Sequence, residues 1–258
     1  MDTLGILGVG ELTETVVRGL RRSGYTGAIV LSPRNAERAA ILAEQQGCRV
    51  LASNQAVVDA ADLLILGVRP DALETIAAQV HLREGQPLVS LLAGVNLARL
   101  HAAFPTARCL RAMLSYAAQY TATTVALCPP DDQARSVLEP LGTLVAMADE
   151  PAFELATVAA CMNGWFYFLL NGLQGWFAEQ GLPSEQARAL VLGNLEDCLT
   201  SVRAQPERSL QALGDAIATP GTFTAQGLAV LQAHPSALNW NAAFEQVLAG
   251  LVGTREEK

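Results

Sequence analysis

Leu4-Gly5-Ile6-Leu7-Gly8-Val9-Gly10-Glu11-Leu12-Thr13 decides the fold of this chain. Leu4 to Leu7 reads as a short buried strand. After Gly10, Leu12, Val16 and Leu20 recur at helical spacing, and Gly24 stops the helix. A strand, a glycine turn and a helix place an anion on a helix N-terminus, and at this spacing the anion is the pyrophosphate of a dinucleotide. Gly8 permits the tight turn and Gly10 lets the backbone come close, so Gly8, Val9, Gly10, Glu11 and Leu12 form the candidate phosphate cradle. The third small position of the pattern is Thr13, which predicts slightly looser packing of helix on strand. The alternative is a glycine turn between two core elements.

The second strand, Ala28-Ile29-Val30-Leu31, runs into Ser32-Pro33-Arg34-Asn35. An NAD site asks here for an acidic residue to accept from the ribose 2′-hydroxyl. The first one, Glu37, already falls on the next helix. Ser32, Arg34 and Asn35 instead offer a hydroxyl, a guanidinium and an amide, a set suited to a 2′-phosphate, and the expected cofactor is NADP(H). Ser32 and Asn35 also read as caps of the helix beginning near Ala36, and the two roles are compatible.

A net charge of −8 argues against nucleic acid and anionic membrane surfaces as partners. No run of about 18 uninterrupted apolar residues predicts a transmembrane helix, and the N-terminus reads as a strand, not a secretion signal. The five cysteines, Cys48, Cys109, Cys128, Cys161 and Cys198, lack CxxC spacing and suit reduced thiols in the cytoplasm. His81, His101 and His234 share no ligand-like spacing, so no metal site is expected. Lys258 is the only lysine, which argues against Schiff-base or lysine acid–base chemistry.

Strand-like and helix-like segments alternate through the first half, the pattern of a parallel sheet wrapped by helices. Ala36–Gln46 reads as a helix ended by Gly47, Leu63–Val68 as a strand buried on both faces, and Asp71–Val80 as a helix. Pro87–Leu92, Cys109–Met113, Thr123–Cys128 and Leu144–Ala148 read as further strands. From Pro151 onward the segments Phe153–Gln180, Ser184–Ala204, Pro206–Ala218, Thr224–Ala233 and Ser236–Leu251 read as helices, with Pro183, Pro206, Pro220 and Pro235 as punctuation. The expected architecture is an α/β, doubly wound Rossmann-like domain over residues 1–150 and an all-helical domain over 151–258. Helices this apolar predict a face hidden against a partner subunit.

The order of these pieces resembles the pyrroline-5-carboxylate reductases over nearly the whole chain. The family's Val-Lys-Pro is matched by Val68-Arg69-Pro70, and its Ser-x-x-Ala-Gly-Val by Ser90-Leu91-Leu92-Ala93-Gly94-Val95. Its Arg-x-Met is matched by Arg111-Ala112-Met113, and its late Ser-Pro-Gly-Gly-x-Thr by Thr219-Pro220-Gly221-Thr222-Phe223-Thr224. The resemblance implies an NADPH-linked reductase that gives hydride to a cyclic C=N carbon, forming proline in the family's case, and a homodimer or larger assembly built on the C-terminal helices. It implies cofactor contacts at Asn54, which also reads as a loop cap, at Val68, Arg69 and Pro70, and at Ala93 and Gly94. On the acceptor side, Met-Pro-Asn-Thr-Pro has become Met113-Leu114-Ser115-Tyr116-Ala117, and Ser-Gly-Ser-Gly-Pro-Ala-Tyr has become Cys161-Met162-Asn163-Gly164-Trp165-Phe166-Tyr167. The cofactor half is kept while the acceptor half is remodelled.

By the same resemblance Thr224 reaches the imine nitrogen, as a relay or hydrogen-bond donor; its other reading is a helix cap. Ser115 stands where the missing Asn would donate. The turn of Gly221, Thr222 and Phe223 offers backbone N–H groups to a substrate carboxylate, and Tyr116 and Tyr167 are further donors. Trp165, Phe166 and Phe223 line an apolar pocket or belong to a core. Two other functions stay open: an NADP-binding family member without turnover, and a C=O reductase of the β-hydroxyacid dehydrogenase type, which leans on a lysine this chain lacks.

Overall fold

The computed structural model describes residues 3–233 and 239–253. His234, Pro235, the first residues of the helix expected from Ser236, and Lys258 lie outside them. Contacts divide the chain into two compact units, one running through Cys161 with Val247 onward, the other Met162–Gln246.

The first unit holds an eight-stranded sheet in the order β3-β2-β1-β4-β5-β6-β7-β8. The strands are β1 (Thr3–Leu7), β2 (Ala28–Leu31), β3 (Arg49–Val50), β4 (Leu63–Leu66), β5 (Pro87–Ser90), β6 (Arg108–Met113), β7 (Thr123–Cys128) and β8 (Gly142–Ala146). The helices of this unit are α1 (Glu11–Arg22), α2 (Ala36–Gln46), α3 (Asn54–Ala60), α4 (Leu73–Ala77), α5 (Leu97–Ala103) and α6 (Asp132–Leu138), with the first turns of α7 (Glu150–Glu179). Every pairing is parallel except β6 with β7. That exception departs from the parallel pattern of the other strands. Residues 114–122 carry only a 3₁₀ turn, Tyr116–Tyr120, and a parallel return needs a crossover of a dozen residues or more.

Strand β4 shows why the sheet is buried on both faces. Leu63 and Ile65 join one core with Val16, Val17 and Leu20 of α1 and Leu42 of α2. Leu64 and Leu66 join the other with Val57 of α3, Leu73 and Ile76 of α4 and Leu100 of α5. Period-two alternation sends neighbours to opposite faces, and each such side chain contributes roughly 1.5–3 kcal/mol on burial.

The expected strands and long helices are present, with small shifts. The expected helix over 71–80 is a 3₁₀ turn, Pro70–Ala72, followed by the short α4. Strand β3 and helices α3, α5 and α6 were not foreseen.

Later turns of α7 enter the second unit with α8 (Ser184–Ala204), α9 (Leu210–Ile217), α10 (Phe223–Ala233) and the start of α11 (Trp240–Gly253). The Trp240 ring packs tilted against both Trp165 and Phe166 at 5.9 Å between centroids, and Phe244 lies 5.7 Å from Trp165. Much apolar surface stays open: Phe168 is 79% exposed, Tyr167 70% and Trp176 58%. By length and composition α7 alone among the described helices could cross a membrane; polar interruptions hid this from the test for an unbroken apolar run.

Candidate cofactor groove and acceptor turn

Strand β1 ends in the glycine turn, and a groove of about 750 Å³ opens beside it. Gly8, Val9 and Gly10 form its floor; Arg34, Asn35 and Glu37 line one side, and Val68, Arg69, Asp71 and Thr75 another. Gly8 has φ +90, which excludes most side chains. Gly10 caps α1, so the first N–H groups of that helix have no intrahelical acceptor and the positive end of the helix dipole meets the groove. These features fit a bound pyrophosphate. Arg34 and Arg69 are exposed and form no ion pair among the described residues.

Two of the expected cofactor ligands serve the turn itself. Ser32 is 1% exposed, and its Oγ accepts from the Gly8 N–H at 2.9 Å. This hydroxyl is buried and braces the turn, and Ser32 is not among the residues lining the groove. Asn35 caps α2 through Oδ1 while its Nδ2 donates to the Val9 carbonyl at 3.0 Å. Thr13 corrects the expectation of looser packing. It is fully buried, its hydroxyl accepts from the Gly10 N–H at 2.8 Å and lies 2.9 Å from the Gly8 carbonyl oxygen. Its methyl group occupies the space a Cβ on Gly67 would need. The glycine displaced from the helix stands at the end of β4 instead.

Glu11 lies outside the groove wall, in a shallow depression with Glu14, Arg18, Arg38, Tyr116 and Gln119. Arg38 pairs with Glu14 and, at 3.7 Å, with Glu11. Burial by itself pushes the Glu14 carboxyl up, but hydrogen bonds from Arg38 and Arg18 outweigh it and hold the group below its ordinary value. Leu12 packs against the core.

Asn54 is not part of the groove wall. Ser53 caps α3, and the Asn54 amide donates to Gln79 at 2.7 Å. Pro70 opens the 3₁₀ turn behind the wall. Ala93 and Gly94 are exposed at the turn after β5, outside the groove lining. Ser115 caps the 3₁₀ turn through the Ala117 N–H at 3.2 Å, and its Oγ lies 3.2 Å from Thr123 Oγ1. It is thus engaged within the loop and half-buried. Tyr116 is 55% exposed with its hydroxyl 3.4 Å from Glu11.

In the second unit, Thr222 caps α10: its Oγ1 accepts from the Ala225 N–H at 3.1 Å and donates to the Thr219 carbonyl at 2.7 Å. The cap is therefore Thr222 and not Thr224. Thr224 is exposed in the first turn of α10, and the N–H groups of Phe223 and Thr224 point beyond the helix with no intrahelical acceptor. Phe223 is 90% exposed and belongs to no core. Trp165 lines an apolar pocket of about 500 Å³ with Phe168, Leu173 and Trp240, and Phe166 lines another beside α8.

Sequence reading missed a buried ion cluster. Arg111 donates through Nη1 to Glu150 and Glu154 at 2.8 Å each, and its guanidinium lies 4.4 Å from the Phe153 ring centre. Glu150, Phe153 and Glu154 share one helix face at i, i+3, i+4 spacing. Two acids facing inward on an apolar helix were the available signal.

Residues 3–94 match the family model described as NADP oxidoreductase coenzyme F420-dependent, and residues 152–249 match pyrroline-5-carboxylate reductase dimerisation. A pyrroline-5-carboxylate reductase of Synechocystis sp. is 26% identical over 239 residues, covering 89% of each chain. The solved 1-pyrroline-5-carboxylate reductase of Streptococcus pyogenes superposes with a TM-score of 0.84 at 24% identity, over 97% of this chain and 98% of that one. The Plasmodium falciparum pyrroline carboxylate reductase with NADP bound gives 0.82 at 16%, over 98% of both. With both halves matched in order and the sheet, groove and helical unit in place, the chain belongs to the pyrroline-5-carboxylate reductase family as a divergent member.

Proposed function

We propose that the protein is an NADPH-dependent reductase of a cyclic imine, with pyrroline-5-carboxylate the first acceptor to test. The observation that carries this reading is the groove beside Gly8–Gly10, walled by the exposed Arg34 and Arg69. Bound NADPH supplies the hydride. The first turn of α1 holds the pyrophosphate through its N–H groups, Arg34 takes the 2′-phosphate through its planar fork, and Val68, Ala93 and Gly94 shape the nicotinamide end. Asn35 supports the site through Val9.

On the acceptor side, the N–H groups of Phe223 and Thr224 grip a carboxylate at the positive end of the α10 dipole. The Thr224 hydroxyl donates toward the imine nitrogen. We assign residues 1–150 to cofactor binding and 151–258 to acceptor binding and self-association, the open apolar faces of α7 and α8 meeting a second copy in a homodimer. Free cysteines suit a reducing, cytoplasmic setting.

A second reading is favoured by Phe223, a large exposed side chain inside the acceptor turn. It points to an imine acid other than pyrroline-5-carboxylate. The test is NADPH oxidation with saturating pyrroline-5-carboxylate beside a direct NADP(H) titration, each repeated with Thr224→Ala. The expected result is tight NADPH binding with turnover that Thr224→Ala lowers while cofactor affinity is kept. Binding without turnover across a broad imine panel overturns the reductase reading in favour of a binding role.

A further inference from the structure

Ser90 and Arg111 are register partners on β5 and β6. The segment that leaves the sheet at Ser90 passes through Ala93 and Gly94 and returns at Leu97, the first residue of α5. There the Leu97 N–H donates to Glu150 Oε1 at 2.7 Å, the same oxygen that accepts from Arg111 Nη1 at 2.8 Å. The loop is thus fastened, through one carboxylate, to the residue beside which it departed. Arg111 is 1% exposed, and among the described residues its Nε and Nη2 make no hydrogen bond. A buried cluster of this kind is a weak source of stability compared with apolar packing, and its use lies in fixing geometry.

We propose that Glu150 is a positioning residue for the Ala93–Gly94 turn and so for the nicotinamide end of the cofactor; this rests on the cofactor reading given above. Arg111 orients the Glu150 carboxylate, and Glu150 fixes where the turn comes back to the sheet. Glu154 shares Arg111 Nη1 at 2.8 Å, but the Leu97 N–H goes to Glu150. The two acids therefore differ in what their removal disturbs. Loss of Glu150 frees the turn, whereas loss of Glu154 removes a contact to Arg111 and leaves the Leu97 N–H bonded to Glu150.

The experiment is an equilibrium titration of the full chain with NADPH and with 2′-phospho-ADP-ribose, the same ligand without its nicotinamide. Glu150→Ala is expected to lose about tenfold in NADPH affinity while keeping its affinity for the truncated ligand. Glu154→Gln is expected to leave the ratio of the two affinities unchanged. Should Glu150→Ala fail to fold, Glu150→Gln, which keeps an acceptor without the charge, is expected to shift the ratio in the same direction by less. An equal loss for both ligands, or the same shift of ratio in Glu154→Gln, gives the cluster a purely structural role and overturns the proposal. Failure of the unaltered protein to bind either ligand removes the cofactor reading, and the proposal falls with it.

Discussion

The Gly8 N–H donates to the buried Ser32 hydroxyl at 2.9 Å, joining the end of β1 to the residue that follows β2. Ser32→Ala leaves that N–H without its acceptor, a loss of about 1–3 kcal/mol. The urea midpoint should fall, while the ratio of NADPH to NADH affinity stays as it was. A collapse of that ratio with unchanged stability would return Ser32 to the phosphate site.

Arg34 should behave in the opposite way. Its exposed side chain forms no ion pair among the described residues, so Arg34→Ala leaves the melting temperature unaltered and lowers NADPH affinity about tenfold or more through loss of charge-assisted hydrogen bonds. NADH affinity is expected to stay level, as two titrations would reveal.

At position 67 a methyl group should be harmful because of Thr13. Gly67→Ala overpacks the contact and costs about 1–3 kcal/mol, and Thr13→Ala in the same chain should restore part of it. A double-mutant cycle by chemical denaturation reads the coupling, and additive effects would show that the two positions are independent.

Burial pushes the Cys109 thiol up to about 11 from an ordinary 9.0. Its folded value lies above its unfolded one, so the stability it contributes is whole below about pH 9 and is lost as pH rises toward 11. Cys109→Ala should flatten stability across that window, measured by urea titrations at stepped pH. The same slope in both proteins would assign the loss to other groups.

Phe168 on α7 is 79% exposed. If that face meets a second copy, Phe168→Glu should shift the sedimentation of the protein toward a smaller species while NADPH binding persists. Unchanged sedimentation would place the interface elsewhere on the helices.

The central strands and long helices were legible because each carries a period: a continuous apolar run in β4, a helical stripe in α1. Strand β3 was not, since two exposed residues, Arg49 and Val50, carry none. The antiparallel turn to β7 was available from the short connection after Met113, had its length been weighed against a crossover. At the site, residue types were readable but directions were not. Ser32 and Ser115 are both hydroxyls in the right loops, yet each accepts from a nearby backbone N–H, of Gly8 and of Ala117. Partners distant in sequence were the hardest. Arg111 stood inside a matched motif, but nothing in that motif points to Glu150, 39 residues on.

Thr13 and Gly67 carry a lesson for how such chains are recognised. A fingerprint that asks for a small residue at one place scores this turn as degenerate, although the clearance it seeks has only moved across to the neighbouring strand. What natural variation can exchange here is a shared volume, divisible between helix and strand in either direction. Searches that treat the two columns jointly would collect divergent sequences that a single-column rule discards.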